Sequence, residues 1–174
     1  MTSPAQRRLS TGENRTTADT PLIVQRARAV DPTGAPIVRS FTMHLPGDRR
    51  ALFLSRAWTR RMVTVLGWRG DVLRAVECVV RIVDNGVRHG IPSSVPSCEV
   101  QLTLTIATDE TGSLVIDVAD LNPTFVDFDA AVRGEKGRGL RHVAVFGARV
   151  TRFLPHEGSG KTVRAVLPAG PVDV

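Results

Sequence analysis

The chain of 174 residues suits one domain with a tail. A folded part of roughly 150 residues buries about 70% of its unfolded surface and needs no disulfide or metal staple. Apolar residues make up 42% and charged residues 23%, which excludes a wholly disordered chain, a collagen and a coiled coil. The net charge is +6, with only Lys136 and Lys161 as lysines, and residues 1–40 and the remainder carry +3 each. With no concentrated basic block, a solvated basic surface is expected and direct nucleic-acid binding is not.

No apolar run approaches the ~18 residues of a membrane span, so no membrane partner is expected. The N-terminus lacks the apolar core of a signal peptide, so the expected compartment is cytoplasmic. Cys78 and Cys98 form no C-x-x-C pair and no metal spacing, and both read as reduced thiols.

In chain order, residues 1–39 read as a weakly ordered tail, with Pro4, Pro21, Pro32 and Pro36 among small polar residues. The domain is expected over 40–170. Phe41, Met43 and Leu45 alternate with Thr42 and His44 as a strand. Pro46-Gly47-Asp48 turns the chain, with Asp48 placed to cap a helix over Arg49 to Leu66 whose apolar stripe is Ala51, Leu54, Trp58, Met62 and Val65. Asp71 caps a second helix, with Val72, Ala75, Val76, Val79, Val80, Val83 and Val87 as its buried stripe and Gly90 and Pro92 at its end. Its valines are poor helix formers, but a strand of about 18 residues would be anomalous, so periodicity and length decide for helix.

A loop over Ile91 to Cys98 follows. Val100, Leu102, Leu104 and Ile106 alternate, Asp109 to Gly112 turns, and Leu114, Ile116 and Val118 alternate again, an antiparallel hairpin with one buried face. Asn122 to Glu135 has no sustained period and reads as a long loop, and Gly139 to Phe146 has helical character. Ala148 to Leu154 and Thr162 to Leu167 make a last hairpin around residues 155–160. This order predicts an α+β two-layer sandwich, a mostly antiparallel sheet with helices on one face.

Several familiar motifs fail. Gly158 to Thr162 resembles a phosphate-binding P-loop, but Pro155 stands where its first glycine belongs and a strand follows instead of a helix. Gly137-Arg138-Gly139 lacks the third glycine and the parallel βαβ setting of a dinucleotide site. The histidines at 44, 89, 142 and 156 form no metal pattern, and no G-x-S-x-G elbow occurs.

Three segments stay chemically suggestive. Arg81 to Gly90 ends the valine helix and carries Asn85, a neutral carbonyl suited to a hard cation such as magnesium, or equally a helix-terminal amide satisfying local backbone. Asp117 to Pro123 carries Asp120 at a strand end, placed to accept from a purine amino group or simply to start the Asn-Pro turn. Gly134 to Leu140 runs into a helix, and its glycines, Lys136 and Arg138 suit an anion as well as a flexible capped loop.

The order and spacing of these segments, with Gly160-Lys161-Thr162 before the last strand, resembles one family over about Phe41 to Pro168. It is that of the actinobacterial ATP-binding regulators of the histidine-kinase-like ATPase superfamily, relatives of anti-sigma-factor serine kinases. Its sharpest parts are Asp84-Asn85-Gly86-Val87-Arg88-His89-Gly90 and Gly137-Arg138-Gly139-Leu140-Arg141-His142-Val143. The resemblance implies ATP and Mg2+ as cofactors. Asn85 would hold the magnesium and Asp120 would meet the adenine amino group. Lys136, Gly137, Arg138, Gly139 and Leu140 would cradle phosphates under a lid over about Val126 to Lys136. Thr162 would lie on the strand flooring the adenine pocket, and Gly160 and Lys161 would complete the last sequence box. The implied partner is a sigma factor or an anti-sigma-factor antagonist, and a homodimer is compatible with it.

Two departures matter. The family's kinases carry Glu-x-x-x-Asn, with Glu as general base, and here Arg81 stands at that place. A guanidinium has no acceptor and cannot take a proton. Losing a general base costs ~10²–10⁴ in rate. Glu77 is expected to pair with Arg81, and Asp84 points about 100° away from Asn85 on the helix. After Asp120, Leu121-Asn122-Pro123-Thr124 replaces the glycine-rich Asp-x-Gly-x-Gly of many superfamily members. The resulting expectation is an ATP-binding regulator with phosphotransfer weak or lost. An active serine/threonine kinase of the same family and a degenerate module that binds no nucleotide are the alternatives.

Overall fold

The computed structural model describes residues 34–96, 100–154 and 160–170. In chain order it has β1 (Ile37–Pro46), α1 (Arg50–Val65), α2 (Val72–His89), β2 (Gln101–Asp109) and β3 (Leu114–Asp120), then α3 (Phe128–Arg133), α4 (Gly139–Val145), β4 (Arg149–Phe153) and β5 (Lys161–Leu167). The strands form a five-stranded sheet in the order β1-β2-β3-β5-β4, with every neighbouring pair antiparallel.

Alternation decides which face each residue takes. Register aligns Ile106 with Ile116 and Ile116 with Ala165, and Leu104 with Val118 and Val118 with Val163. These rows form the core with residues of all four helices, among them Met62, Val79, Ile82, Phe128 and Val143. The opposite face is polar: Thr42 and Thr105 share a hydrogen bond of 2.9 Å, and the Arg164 guanidinium donates twice to the Asp117 carboxylate at 2.7 and 2.6 Å. The expected two-layer α+β sandwich, with helices on one face of an antiparallel sheet, is therefore the fold observed.

Details depart from the sequence expectations. The strand begins at Ile37, ahead of Ser40. Asp48 accepts from the Arg50 backbone N–H at 2.8 Å, but the residue at the helix boundary is Arg49, whose side chain caps nothing. On α1 the buried face is Ala51, Ser55, Thr59, Met62 and Val63, whereas Leu54 and Val65 of the expected stripe are exposed. Two hydroxyls can be buried there because Ser55 donates to the Leu52 carbonyl at 3.1 Å and Thr59 to the Ser55 carbonyl at 2.6 Å.

On α2 the Asp71 cap forms as expected, accepting from the N–H groups of Leu73 at 2.7 Å and Arg74 at 3.3 Å. Its buried face adds Cys78 and Ile82, while Val72, Val80 and Val87 are only half-buried. The stretch expected as a loop from Asn122 to Glu135 contains α3, which burial of Phe128 and Ala131 stabilises and the left-handed Gly134 stops at φ 85°. Cys98 and the hairpin turn at 155–159 lie outside the described residues. Among the described residues no helix is long and apolar enough to cross a membrane.

Candidate functional site

A cavity of about 660 Å3 opens between the C-terminal end of α2, the 91–94 loop, and the stretch from Asn122 through α3 to Lys136. Its size falls within the ~300–1,000 Å3 of small-molecule sites. Asn85, Arg88, His89 and Lys136 line it, together with Ser93, Ser94, Phe125 and Asp127. Asn85 and His89 lie one turn apart on α2, so helical spacing presents both to the opening.

The electrostatics of this lining favour an anion. Arg88 spends one N–H on Asp84 at 3.0 Å, an exposed pair one helical turn apart. Lys136 stands 3.7 Å from Asp127, a loose surface pair that a ligand can displace. The Asn85 Nδ2 is buried and has no hydrogen-bond partner. A buried unpaired donor costs about 1–3 kcal/mol, and what this one lacks is an acceptor.

Next to the cavity lies a sealed polar cluster. Asp120 and Lys161 are cross-strand neighbours on the helix-facing side of the sheet. The Lys161 Nζ donates to Asp120 Oδ1 at 2.9 Å and to the Asn122 carbonyl at 2.9 Å, and both side chains are 1% exposed. The Asn122 backbone N–H also donates to Asp120 Oδ1, at 3.0 Å. Burial pushes the Asp120 carboxyl above its ordinary 3.8, outweighing the opposing pull of the Lys161 ammonium and the Asn122 N–H.

Two glycines make room for this cluster. A Cβ at Gly90 would collide with the Asp120 carboxylate, and one at Gly160, where φ is 110°, would collide with the Asp120 carbonyl oxygen. The end of α2 is bound to the same turn: the Gly90 carbonyl accepts from Leu121 N–H at 3.1 Å and Asn122 N–H at 3.0 Å, and the Asn122 side-chain amide donates to the His89 carbonyl at 2.8 Å.

Of the residues picked from sequence, the cavity brings together Asn85 and Lys136. Asp120 does not line it, because its carboxylate is committed to Lys161. Gly137, Arg138 and Gly139 are exposed beyond Lys136, outside the lining, and Leu140 is a core residue at the start of α4. Thr162 pairs with Phe153 and Ala119, and strand alternation sends it to the polar face with Arg164, away from the cavity. The residue of β5 that faces the helices at this end is Lys161, which sequence reading gave only a supporting place.

Arg81 lies one turn before Asn85 but does not line the cavity. Its guanidinium stands 3.5 Å from Glu77, the expected pair, and 6.0 Å from the Phe146 ring centroid, while Arg56 approaches Glu77 from α1 at 3.6 Å.

The lining suits a phosphate-bearing ligand: Arg88, Lys136 and the Ser93 and Ser94 hydroxyls outnumber its one carboxylate, Asp127. Asn85 could offer a magnesium ion a single amide oxygen, with phosphates and water supplying the rest, as that ion prefers. Among the described residues no group of three or more His, Cys, Asp or Glu is placed to hold a metal by itself.

No family model matches the sequence, and no curated protein matches it. Solved structures with TM-scores of 0.50 and 0.52 share the fold. A structure of the RsbU and RsbW domains of Rv1364c from Mycobacterium tuberculosis aligns with TM-score 0.50 at 19% identity, over 73% of this chain and 32% of that one, so this chain spans about a third of its length. The SiaB-SiaC complex from Pseudomonas aeruginosa contains a chain that aligns with TM-score 0.52 at 15% identity, over 72% of this chain and 88% of that one. A histidine kinase domain from the blue-light activated kinase of Erythrobacter litoralis EL346 aligns with TM-score 0.45 at 17% identity, over 66% and 61%.

Proposed function

We propose that this protein is a regulatory module that binds a magnesium-complexed nucleoside triphosphate, ATP in the family it resembles, and acts by engaging a protein partner. The carrying observation is a cavity of small-molecule size lined by Asn85, Arg88, His89 and Lys136. When bound, the nucleotide and its metal would supply a dense, neutralised triphosphate. The chain's own part is to hold it. Asn85 offers its amide oxygen to the cation, and Arg88 and Lys136 lower the cost of bringing phosphate charge into the cavity. A phosphate that takes Lys136 from Asp127 changes what holds the stretch after Asn122, and so biases it between two arrangements.

Phosphotransfer is weak or lost in this reading. Arg81 has no acceptor for a hydroxyl proton, and its contacts with Glu77 and Phe146 turn it away from the cavity. A sigma factor or an anti-sigma-factor antagonist is the partner class implied by the resemblance. The fold likeness to a chain of the SiaB-SiaC complex supports a protein partner of some kind.

The test is calorimetric titration of the full chain with ATP and magnesium. Saturable heat, with a thermal midpoint that rises with ligand concentration, supports nucleotide binding. Neither signal at millimolar ATP would leave a degenerate interaction module as the better reading. Incubation with radiolabelled ATP and candidate antagonists tests the loss of phosphotransfer: robust magnesium-dependent serine labelling overturns it. Arg81→Glu should raise any residual transfer by about 10² or more if the missing base is what limits it.

A further inference from the structure

We infer that Lys161 occupies Asp120, the buried carboxylate beside the cavity, so that the cavity selects its ligand by triphosphate charge and scarcely distinguishes adenine from guanine. This rests on the nucleotide reading above and goes beyond it by naming what the site does not recognise.

Telling the two purines apart requires a fixed acceptor or donor. Adenine presents an amino donor where guanine presents a carbonyl acceptor. A rigid carboxylate facing that edge would accept from adenine and repel guanine. Sites built around such a bond reject the wrong partner by about 10⁴ or more, because the buried group would otherwise go unpaired.

Here the rigid groups at this end are already paired with one another. Asp120 Oδ1 accepts from Lys161 Nζ and from the Asn122 N–H, and the opposite carboxylate oxygen abuts Gly90. The Asn122 side chain is spent on both sides: its amide donates to the His89 carbonyl at 2.8 Å and its oxygen accepts from the Thr124 N–H at 3.0 Å. The Lys161 ammonium touches the Asn122 carbonyl at 2.9 Å and stands 5.5 Å from the Phe125 ring centroid. Asn122 and Phe125 both line the cavity. The ammonium therefore sits between Asp120 and the space a base would enter. Among the described residues, what the lining leaves to meet a base is adaptable: the Ser93, Ser94 and Thr124 hydroxyls, which rotate to donate or accept, the Phe125 ring, which stacks on any base, and the exposed Asp127 carboxylate, only loosely held by Lys136. Lys161 is here a specificity-determining residue that acts by masking.

The experiment is competition for the full chain between ATP, GTP and inorganic tripolyphosphate, each with magnesium, read by displacement of a fluorescent nucleotide. The expected result is Kd values for ATP and GTP within about fivefold, with tripolyphosphate competing measurably. ATP favoured by about 100-fold or more overturns the inference while leaving nucleotide binding intact. Failure of all three to compete, with no fluorescent nucleotide bound, overturns both. Lys161→Met supplies the second measurement: unmasking Asp120 should create an ATP preference of about tenfold or more. A folded Lys161→Met variant that remains indifferent to the base overturns the masking role. Should that variant fail to fold, the wild-type competition alone decides.

Discussion

Lys161 Nζ and Asp120 Oδ1 meet at 2.9 Å in a cross-strand pair whose side chains are each 1% exposed. A buried pair of this kind is expensive to break and cheap to replace, because one partner removed leaves a charge that neither water nor protein compensates.

Lys161→Met should therefore lower unfolding free energy by about 3–5 kcal/mol, while Lys161→Met with Asp120→Leu should recover most of that loss. Urea unfolding of the two variants checks both. The pH dependence follows from the same burial. Because the folded carboxyl titrates above its ordinary 3.8, the folded state holds this proton more tightly than the unfolded chain. Its contribution is full below 3.8 and is lost as pH rises through the folded value. The stability advantage of wild type over Asp120→Asn should accordingly shrink as pH is raised through that window. An advantage that grows there would contradict the assignment.

Glycine substitutions separate steric need from ligand need. Gly160→Ala should cost about 2–4 kcal/mol, since φ is 110° and the new Cβ collides with the Asp120 carbonyl. Gly139→Ala meets open space and should change stability by less than about 0.5 kcal/mol. Thermal melts of both variants test the contrast.

Asn85→Leu should exchange function for stability. Removing a buried donor that has no partner raises unfolding free energy by about 1 kcal/mol while nucleotide affinity falls. A variant that loses both would mean that the amide is held by the fold itself.

Cys78 should be inert in the folded protein. Burial pushes its thiol up to about 12 from 9.0, against the weaker opposing pull of the Arg74 and Arg81 charges. At pH 8 its thiolate is scarcer by about a thousandfold, so iodoacetamide should label it only after denaturation. Peptide mapping by mass spectrometry reads that residue specifically.

Much of this was legible in sequence. Two clean hairpin alternations, the Asp71 cap and a long apolar period give the layers and nearly every element. The α1 face was misplaced because hydroxyl bonds to backbone carbonyls let Ser55 and Thr59 go inside. The six-residue α3 is too short to show a period. At the cavity, residue type and position single out Asn85 and Lys136, and both line it. Lys161 was undervalued because a buried lysine is rare, yet a signal existed. Counting in twos back from Leu167, Ala165 and Val163 puts Lys161 on the core face, and counting on from Ile116 and Val118 does the same for Asp120. Thr162 falls to the other side by the same arithmetic.

The three hydrogen bonds that tie His89 and Gly90 to Leu121 and Asn122 make a helix end and a strand end behave as one jointed piece. No single bond there can open usefully alone, because the other two keep the gap shut. Solvent should reach the Leu121 and Asn122 amides only in rare, concerted breathing events, and their deuterium uptake should follow a common slow clock.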